Sequence, residues 1–353
     1  MKPMDFVRPT SDPPILIARS KAHMRGTCRI LGGPPAIERH GPVYYLPHRE
    51  EGNWGLFDAD DAPVELAVER GFEDMVPLRQ IPVSTTRFAA VEPRLPATCE
   101  YVYGGRFVHH FGHFLIETLA RFWPFRDGFA PGQKVVMHGD GDPDAWFALR
   151  HVRELFGALG LRREDIVHAD TPFRIDSILV TEPAFRPQAQ AYPDFVRLCH
   201  RLGERLAGSA PPPVRSSQPV YLTKSGLASG VARWQNEAGL EEALRRRGFA
   251  IVHPQDLPLA EHLRLYQSRE AVCGVIGSAH HVSLFAPPRA RFVLLSPERL
   301  NANFFLIDDL NGNDSAYYYA DGTHNVPHSG APFIVERVLP DPERVAAALA
   351  SVL

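Results

Sequence analysis

Four titratable side chains stand at helical spacing in the first half of the chain. His110, His113, Glu117 and Arg121 follow at intervals of three, four and four residues, which places them on one face of a helix. The opposite face carries apolar residues: Phe111, Leu115, Leu119 and Phe122. A histidine and a glutamate one turn apart can take a proton from a hydroxyl, one acting as the base and the other orienting it. The arginine would keep the glutamate ionised or bind a substrate.

The same cluster supports two other interpretations. His110, His113 and Glu117 have a spacing at which two imidazoles and a carboxylate can meet one metal ion. Further histidines come from separate segments of the chain: His253, His280, His281, His324 and His328. The acidic pairs that could assist are weak candidates: Asp140 with Asp142, and Asp308 with Asp309. The other interpretation is a polar network with a structural role only.

The second half of the chain carries the parts of an anion-binding pocket. Lys224 follows a predicted strand, and Arg233 comes nine residues later at the start of a helix. A turn of small residues, Gly277-Ser278-Ala279, leads from a later strand into a helix, so its backbone N–H groups can face an anion. A diphosphate would suit such a pocket. The alternative is a pair of ordinary surface charges and an ordinary turn, because neither a dinucleotide-binding glycine motif nor a phosphate-loop lysine is present.

Alternating strands and helices must position these residues in the second half. Strands are predicted over 220–223, 249–253, 271–276 and 291–295, and helices over 236–247, 258–268, 278–285 and 341–353. The strands are nearly continuous apolar runs, which is typical of a parallel sheet covered on both faces. Right-handed connections then give a Rossmann-like domain.

The first half is predicted to be a second α/β domain behind an irregular N-terminal extension of about 95 residues. Helices are predicted over 109–125, 143–159 and 192–206, and strands over 134–138, 165–169 and 175–181. A segment rich in proline and serine predicts a linker over 208–219, between domains at 1–207 and 220–353. The expected fold class is therefore α/β, with two Rossmann-like domains facing a ligand-binding cleft.

The composition narrows the classes of function. The chain has 353 residues, of which 44% are hydrophobic and 22% charged, as in ordinary two-domain globular proteins. A net charge of −3 argues against nucleic-acid binding driven by phosphate neutralisation. The four cysteines are too far apart to form a zinc motif or a disulfide framework. Without a signal-peptide pattern or an apolar run of about 18 residues, the chain is expected in the cytoplasm, with docking at the inner membrane left open.

Taken together, the motifs over residues 100–295 resemble glycosyltransferase family 61, whose bacterial members are often described as capsular polysaccharide biosynthesis proteins. One family pattern, His-x-x-His-Phe-x-x-Glu-x-x-x-Arg and then an aromatic residue, is matched by His110, His113, Phe114, Glu117, Arg121 and Trp123. A strand with a basic turn, followed by Arg-x-x-Asn-Glu, is matched by 221–224 and by Arg233, Asn236 and Glu237. A Gly-Ser-Ala-x-His turn before Leu-Phe-Ala-Pro-Pro is matched by 277–281 and 284–288.

The resemblance implies a GT-B-like fold and a glycosyltransferase of the hexosyl or pentosyl class. It implies inverting, metal-independent transfer without a cofactor, from a nucleotide-sugar donor to a hydroxyl of a glycan or lipid-linked glycan, in surface polysaccharide biosynthesis. The donor would contact a set of residues in the second half: Lys224, Arg233, Asn236, Glu237, Gly277, Ser278, Ala279 and His281. Glu117 is favoured as the base with His113 orienting it, and the reverse assignment is nearly as well supported. His110 and Arg121 would bind the acceptor or support the base.

Two other functions stay open from the sequence. The first is a metal-dependent hydrolase that uses His110, His113 and Glu117, and a chelator would abolish its activity. The second is a non-catalytic glycan- or nucleotide-binding protein that keeps the cleft. Such a protein would bind the donor without turning it over.

Overall fold

A computed structural model of the chain describes residues 24–49, 52–71, 77–82, 94–209, 211, 213–227, 232–297, 299–327 and 335–353. The chain forms two compact units. One comprises Gly26–Leu206, and the other comprises the chain from Ala207 onward together with the short strand β1, Met24–Arg25. Among the described residues, no helix has both the length and the apolar character needed to span a membrane.

The N-terminal unit is built on a five-stranded mixed sheet. The strands of the whole unit, in chain order, are β2 Arg29–Ile30, β3 Ile37–His40, β4 Val43–Leu46, β5 Gly55–Phe57, β6 Tyr101–Arg106, β7 Lys134–His138, β8 Ile166–Val167, β9 Phe173–Ile175, β10 Ile178–Thr181, β11 Phe185–Arg186 and β12 Gln190–Ala191. Its helices are α1 Phe111–Ile116, α2 Pro143–Ala148, α3 Arg150–Ala158 and α4 Pro193–Ala207. The main sheet has the order β3-β10-β6-β7-β8, in which β10, β6, β7 and β8 are parallel and β3 is antiparallel.

Smaller sheets complete this unit, in the order β5-β4-β9 and β11-β12-β2. The strands β3, β4 and β5 lie in the segment that the sequence predicts to be an irregular extension. They are short, and β4 is buried along its first three residues. A core cluster that includes Tyr45, Tyr103, Val136 and Val180 joins the small sheet to the main one.

The C-terminal unit contains a five-stranded, fully parallel sheet. The strands of the whole unit are β13 Val220–Leu222, β14 Ala232–Trp234, β15 Ala250–Val252, β16 Ala271–Val275, β17 Arg291–Leu295, β18 Leu300–Asn301, β19 Asp314–Tyr318, β20 His324–Val326 and β21 Val335–Val338. Its helices are α5 Glu237–Arg246, α6 Leu259–Ser268, α7 Ser278–His281, α8 Ala302–Asn311 and α9 Pro342–Ser351. The main sheet has the order β15-β13-β16-β17-β19, and the side sheet has the order β14-β21-β20. The α/β class and the four predicted apolar strands are confirmed.

This strand order has a direct consequence for ligand binding. The second strand of the sheet, β15, lies on one side of the first, β13, while the third, β16, lies on the other. The chain therefore reverses its direction of progress across the sheet between β13 and β16. In open parallel sheets, the crevice at the carboxyl ends of two such strands is the usual ligand site.

Three predicted helices are corrected. The helix predicted over 109–125 is the six-residue α1, followed by 3₁₀ turns at Thr118–Arg121 and Trp123–Phe125. The helix predicted over 143–159 breaks at Leu149, whose backbone is extended, into α2 and α3. The helix predicted over 278–285 is the four-residue α7, followed by a 3₁₀ turn at Val282–Phe285. The strand predicted over 165–169 is shortened to β8.

Candidate functional site

Lys224 and the turn at Gly277 meet at the reversal point of the C-terminal sheet. Lys224 lies two residues beyond β13 and Gly277 two residues beyond the adjacent parallel strand β16. The Lys224 Nζ donates a hydrogen bond to the Ile276 carbonyl oxygen at 2.7 Å. A Cβ added to Gly277 would lie 2.6 Å from Lys224 Cε and closer still to Nζ. The absence of a side chain at Gly277 is therefore what lets the ammonium group lie against this turn.

A buried glutamate fixes the backbone from which Lys224 extends. The Glu237 Oε1 accepts hydrogen bonds from the Lys224 backbone N–H and from the Tyr221 hydroxyl, both at 3.0 Å. Glu237 is 1% exposed, and burial raises the pKa of its carboxyl, while these hydrogen bonds oppose the rise. Glu237, predicted to contact the donor, bonds to the backbone of the turn that carries Lys224.

The charge on Lys224 is sensitive to its surroundings. Burial lowers the pKa of Lys224 to about 8; Glu237 opposes this shift and Arg337 adds to it. Arg337 lies on β21, in a segment without a recognisable motif, so it could not be selected from sequence patterns. An arriving anion would raise the pKa of the ammonium group and bind more firmly to its charged form.

Arg233 lies in the side sheet of this unit, and Asn236 lies directly before α5. Arg233 is in β14, in the side sheet, where it is in register with Glu336 of β21. The Asn236 side chain forms two hydrogen bonds of 2.9 Å with the backbone of Leu339, one as donor and one as acceptor. Both the oxygen and the nitrogen of this amide therefore bind the segment before α9 to the start of α5, so Asn236 has a structural role.

The turn of Gly277, Ser278 and Ala279 is partly exposed, and hydrogen bonds from buried residues fix its position. The Tyr266 hydroxyl donates to the Ala279 carbonyl oxygen at 2.7 Å. His280 is buried, and its Nε2 lies 2.8 Å from Asp308 Oδ1. The Asp308 carboxylate also accepts hydrogen bonds from three polar side chains: Asn313, Ser315 and Tyr317. The ion pair with His280 and these bonds lower the pKa of Asp308 against the effect of burial.

The next residue of this turn, His281, is 7% exposed and packs its ring against Phe304 with 5.4 Å between centroids. Sequence reasoning selected His281 for the donor. The neighbouring His280, with its carboxylate partner, is the histidine that anchors the turn to α8. Both histidines are buried, and the pattern of residue types does not indicate which of the two pairs with Asp308.

In the N-terminal unit, α1 brings together the two residues predicted to be catalytic. The His113 Nδ1 contacts the Glu117 Oε1 in a short hydrogen bond between positions i and i+4. His113 is 43% exposed and Glu117 is 14% exposed. The bond to Glu117 raises the pKa of His113, while burial and the positive charge of Arg106 oppose the rise. Glu117 also lines a pocket at the carboxyl ends of β6 and β10.

Arg121 does not share this face as a continuous helix would require, whereas His110 lies beside His113. His110 is exposed, with its ring centroid 5.1 Å from that of His113. Arg121 is 1% exposed; it donates to the carbonyl oxygens of Leu66 at 2.7 Å and Thr181 at 2.5 Å. Its ion pair, at 3.3 Å, is with Glu69. The expected pairing of Arg121 with Glu117 is therefore replaced by a buried anchor to neighbouring elements.

The possible metal ligands are scattered. Within the described parts of the chain, no three His, Cys, Asp or Glu side chains are placed to hold a metal ion. His328, one of the histidines considered as a ligand, lies outside the described residues. Asp308 belongs to the buried network behind the Gly277 turn, and Asp140 pairs with His48 at 3.0 Å.

Comparison with known families decides the relationship of the chain. The family model described as Glycosyltransferase 61 matches residues 111–293. The chain belongs to glycosyltransferase family 61. The matched range extends from α1 to β17, so it includes both the His113–Glu117 pair and the Lys224–Gly277 site. Family membership supports glycosyltransferase activity, with a sugar donor and a glycan acceptor as substrates in general. No curated protein matches the chain by sequence.

Proposed function

We propose that this family 61 glycosyltransferase moves a hexosyl or pentosyl group from a nucleotide-sugar donor to a hydroxyl of a glycan or lipid-linked glycan. The transfer would invert the anomeric centre, need no metal ion, and serve surface polysaccharide biosynthesis. The observation that carries the proposal is the seating of Lys224 against Gly277 at the carboxyl ends of two adjacent parallel strands.

The donor diphosphate would lie over this turn. Gly277, Ser278 and Ala279 present partly exposed backbone, and the Lys224 ammonium supplies a positive charge within the same turn. Such groups stabilise a leaving nucleotide, because negative charge develops on its phosphate as the glycosidic bond breaks. Arg337, whose charge already acts on Lys224, would add to this field. Arg233 and His281 remain donor-binding candidates under this proposal.

The acceptor hydroxyl would lose its proton to the His113–Glu117 pair. A carboxylate bonded to Nδ1 orients an imidazole and stabilises its protonated form, which leaves the opposite nitrogen to act as the base. The contact between Glu117 Oε1 and His113 Nδ1, and the greater exposure of His113, support this assignment. It is the reverse of the assignment that the sequence favoured. The oxygen freed of its proton would attack the anomeric carbon from the face opposite the leaving phosphate.

Two broader parts of the proposal come from the family resemblance and the sequence. The two units would correspond to the Rossmann-like domains of a GT-B-like enzyme. The protein would work in the cytoplasm and reach lipid-linked acceptors at the surface of the inner membrane.

The experiment that tests the function combines a donor panel with a linkage analysis. The full-length protein is incubated with UDP-, GDP- and CMP-sugars and an oligosaccharide panel, with and without EDTA, and products are identified by mass spectrometry and NMR. We expect transfer from one donor class with inverted anomeric configuration, loss of transfer in Lys224→Met, and retention in Arg289→Gln. Arg289 is an exposed cation of the same unit. Hydrolysis that EDTA abolishes would overturn the proposal in favour of a metal-dependent hydrolase, and donor binding without turnover would favour a binding protein.

A further inference from the structure

The pocket beside Glu117 lies at the reversal point of the N-terminal sheet. After β6 the sheet grows through β7 and β8 on one side, and β10 then pairs with β6 on the other side. Arg106 is the last residue of β6, and Pro183 and Arg186 follow β10. These residues line the pocket together with Glu117 and Arg70. The position is the one at which parallel sheets usually bind ligands.

A backbone irregularity directs Arg106 into this position. The register of β6 against β7 shifts between Tyr103 and Gly105, as in a β-bulge. Gly105 has a φ of +75°, and a Cβ there would lie 2.8 Å from the Arg121 side chain. Both the conformation and the close approach therefore favour glycine, and the strand end is turned next to the buried Arg121.

The arginines of this pocket differ in whether a carboxylate pairs with them. The Arg186 guanidinium lies 3.8 Å from Glu182, and Arg70 forms an ion pair with Glu65. Burial lowers the pKa of Arg186, and repulsion from Arg121 adds to the effect. Arg106, by contrast, forms no side-chain hydrogen bond or ion pair with any other described residue. Its charge nevertheless reaches the catalytic pair, since it lowers the pKa of His113.

We propose that this pocket binds an oxyanion carried by the acceptor, a carboxylate or a phosphate, with Arg106 as its main ligand and Arg186 as the second. The inference rests on the proposed function, since it names the class of acceptor for the same catalytic pair. A guanidinium offers a fork of N–H donors that matches carboxylate and phosphate oxygens. Two carboxylates, Glu69 and Glu117, also line the pocket, but among the described residues Glu69 pairs with Arg121 and Glu117 with His113. An arriving oxyanion would therefore give Arg106 the ion-pair partner that these carboxylates do not provide. The acceptor hydroxyl would then lie beside Glu117 and His113.

The arrangement also couples acceptor binding to the strength of the base. The positive charge of Arg106 lowers the pKa of His113 in the free protein. A bound oxyanion would neutralise that charge and so raise the pKa of His113. The imidazole would become a stronger base only when an anionic acceptor is in place. A neutral glycan would not neutralise Arg106 and so would not raise the pKa of His113 in this way.

The test measures binding and titration in the full-length protein. Calorimetry at constant ionic strength uses inorganic phosphate, glucuronate and glucose as probes, and NMR follows the pKa of His113 with and without each probe. We expect one or both anions to bind and to raise the pKa of His113, while glucose does neither. Arg106→Gln should weaken anion binding at least tenfold, and Arg106→Lys should restore part of it. Arg126→Gln, which removes an exposed charge of the same unit, should bind like the wild type.

The outcomes separate this inference from the proposed function. Preferential binding of glucuronate would identify an acidic sugar, and preferential binding of phosphate a phosphorylated or lipid-phosphate acceptor. Equal anion binding by wild type and a folded Arg106→Gln variant would overturn the inference, and so would failure of both anions to bind. Unchanged nucleotide binding by Arg106→Gln would leave the donor site assigned to Lys224. Loss of nucleotide binding in Arg106→Gln but not in Lys224→Met would overturn both the inference and that donor assignment.

Discussion

Lys224 and Gly277 fit each other at the carboxyl ends of adjacent parallel strands. The lysine ammonium occupies the space that a side chain at residue 277 would need, and it donates a hydrogen bond to the Ile276 carbonyl oxygen at 2.7 Å. Glu237 holds the lysine backbone from below at 3.0 Å. The contact between Lys224 and Ile276, which are 52 positions apart in the chain, joins the basic turn and the small-residue turn into one cationic surface.

The first prediction concerns Gly277→Ala. The added methyl group would push the Lys224 side chain out of its place, and the extended backbone of Gly277 would itself tolerate alanine. We expect the affinity for the nucleotide to fall about tenfold, equivalent to about 1.4 kcal/mol, with little change in melting temperature. Calorimetry and thermal unfolding measure the two quantities. Gly239→Ala is the control, since a Cβ there meets only Pro342 at 3.6 Å; equal affinities in both variants would contradict the packing argument.

The second prediction concerns the pH profile of the proposed catalytic pair, His113 and Glu117. Glu117 raises the pKa of His113, so Glu117→Gln should lower that pKa. If His113 is the base, the acid limb of kcat/KM moves to lower pH in the variant and the maximum falls by about 10²–10⁴-fold. Glu164→Gln, an exposed glutamate in the same unit, should keep the wild-type profile. Activity lost at every pH without a shift of the limb would assign the base to Glu117 instead.

The third prediction concerns stability in acid. His262 is 2% exposed, and burial lowers its pKa from 6.5 to about 4. Between these two pH values the unfolded chain binds more protons than the folded one. The stability that the neutral, buried His262 provides is therefore lost as the pH falls from 6.5 towards 4. His262→Phe should therefore destabilise the protein less at pH 5 than at pH 7.5, or stabilise it there. The exposed His324→Gln should show no such difference; equal effects of His262→Phe at both pH values would contradict the assignment.

The fourth prediction separates a structural residue from a donor-binding one. Asn236→Ala removes both hydrogen bonds to the Leu339 backbone and should lower the free energy of unfolding by about 1–3 kcal/mol. Donor affinity, measured on the folded variant, should stay within about twofold of the wild type. Gln235→Ala, which loses one exposed hydrogen bond to Glu336, is the matched control. A large loss of donor affinity with unchanged stability would restore Asn236 to the donor site.

The sequence predicts some elements well, because the signal for them is local. The apolar runs that became β13, β15, β16 and β17 fill a sheet that is covered on both faces, so nearly every residue in them is hydrophobic. The start of α9 is also marked locally, by Asp341 followed by Pro342. The Asp341 carboxylate accepts a hydrogen bond from the Arg344 backbone N–H and so caps the helix.

Other features depend on side-chain contacts that the pattern of apolar residues does not record. Where α1 gives way to a 3₁₀ turn, the Thr118 hydroxyl bonds to the backbone of Arg106 and Val108. The break at Leu149 is held by Arg153, which donates to the carbonyl oxygens of Phe147 and Ala148. Spacing along a helix revealed the His113–Glu117 pair, because both residues lie within one turn. Spacing alone gave no means to predict that Arg121 turns inward to Glu69.

Calorimetric binding of UDP, GDP and CMP in EDTA, to wild-type protein and to Lys224→Met at pH 7 and pH 9, shows directly whether Lys224 binds the donor phosphate. We expect one of these nucleotides to bind the wild type, more weakly at pH 9 because burial lowers the pKa of Lys224 to about 8. We expect at least tenfold weaker binding to Lys224→Met at pH 7 and little pH dependence in that variant. Equal affinity of the two proteins for the nucleotide, or binding of none of the three by a folded wild type, would contradict the assignment of Lys224 to the donor site.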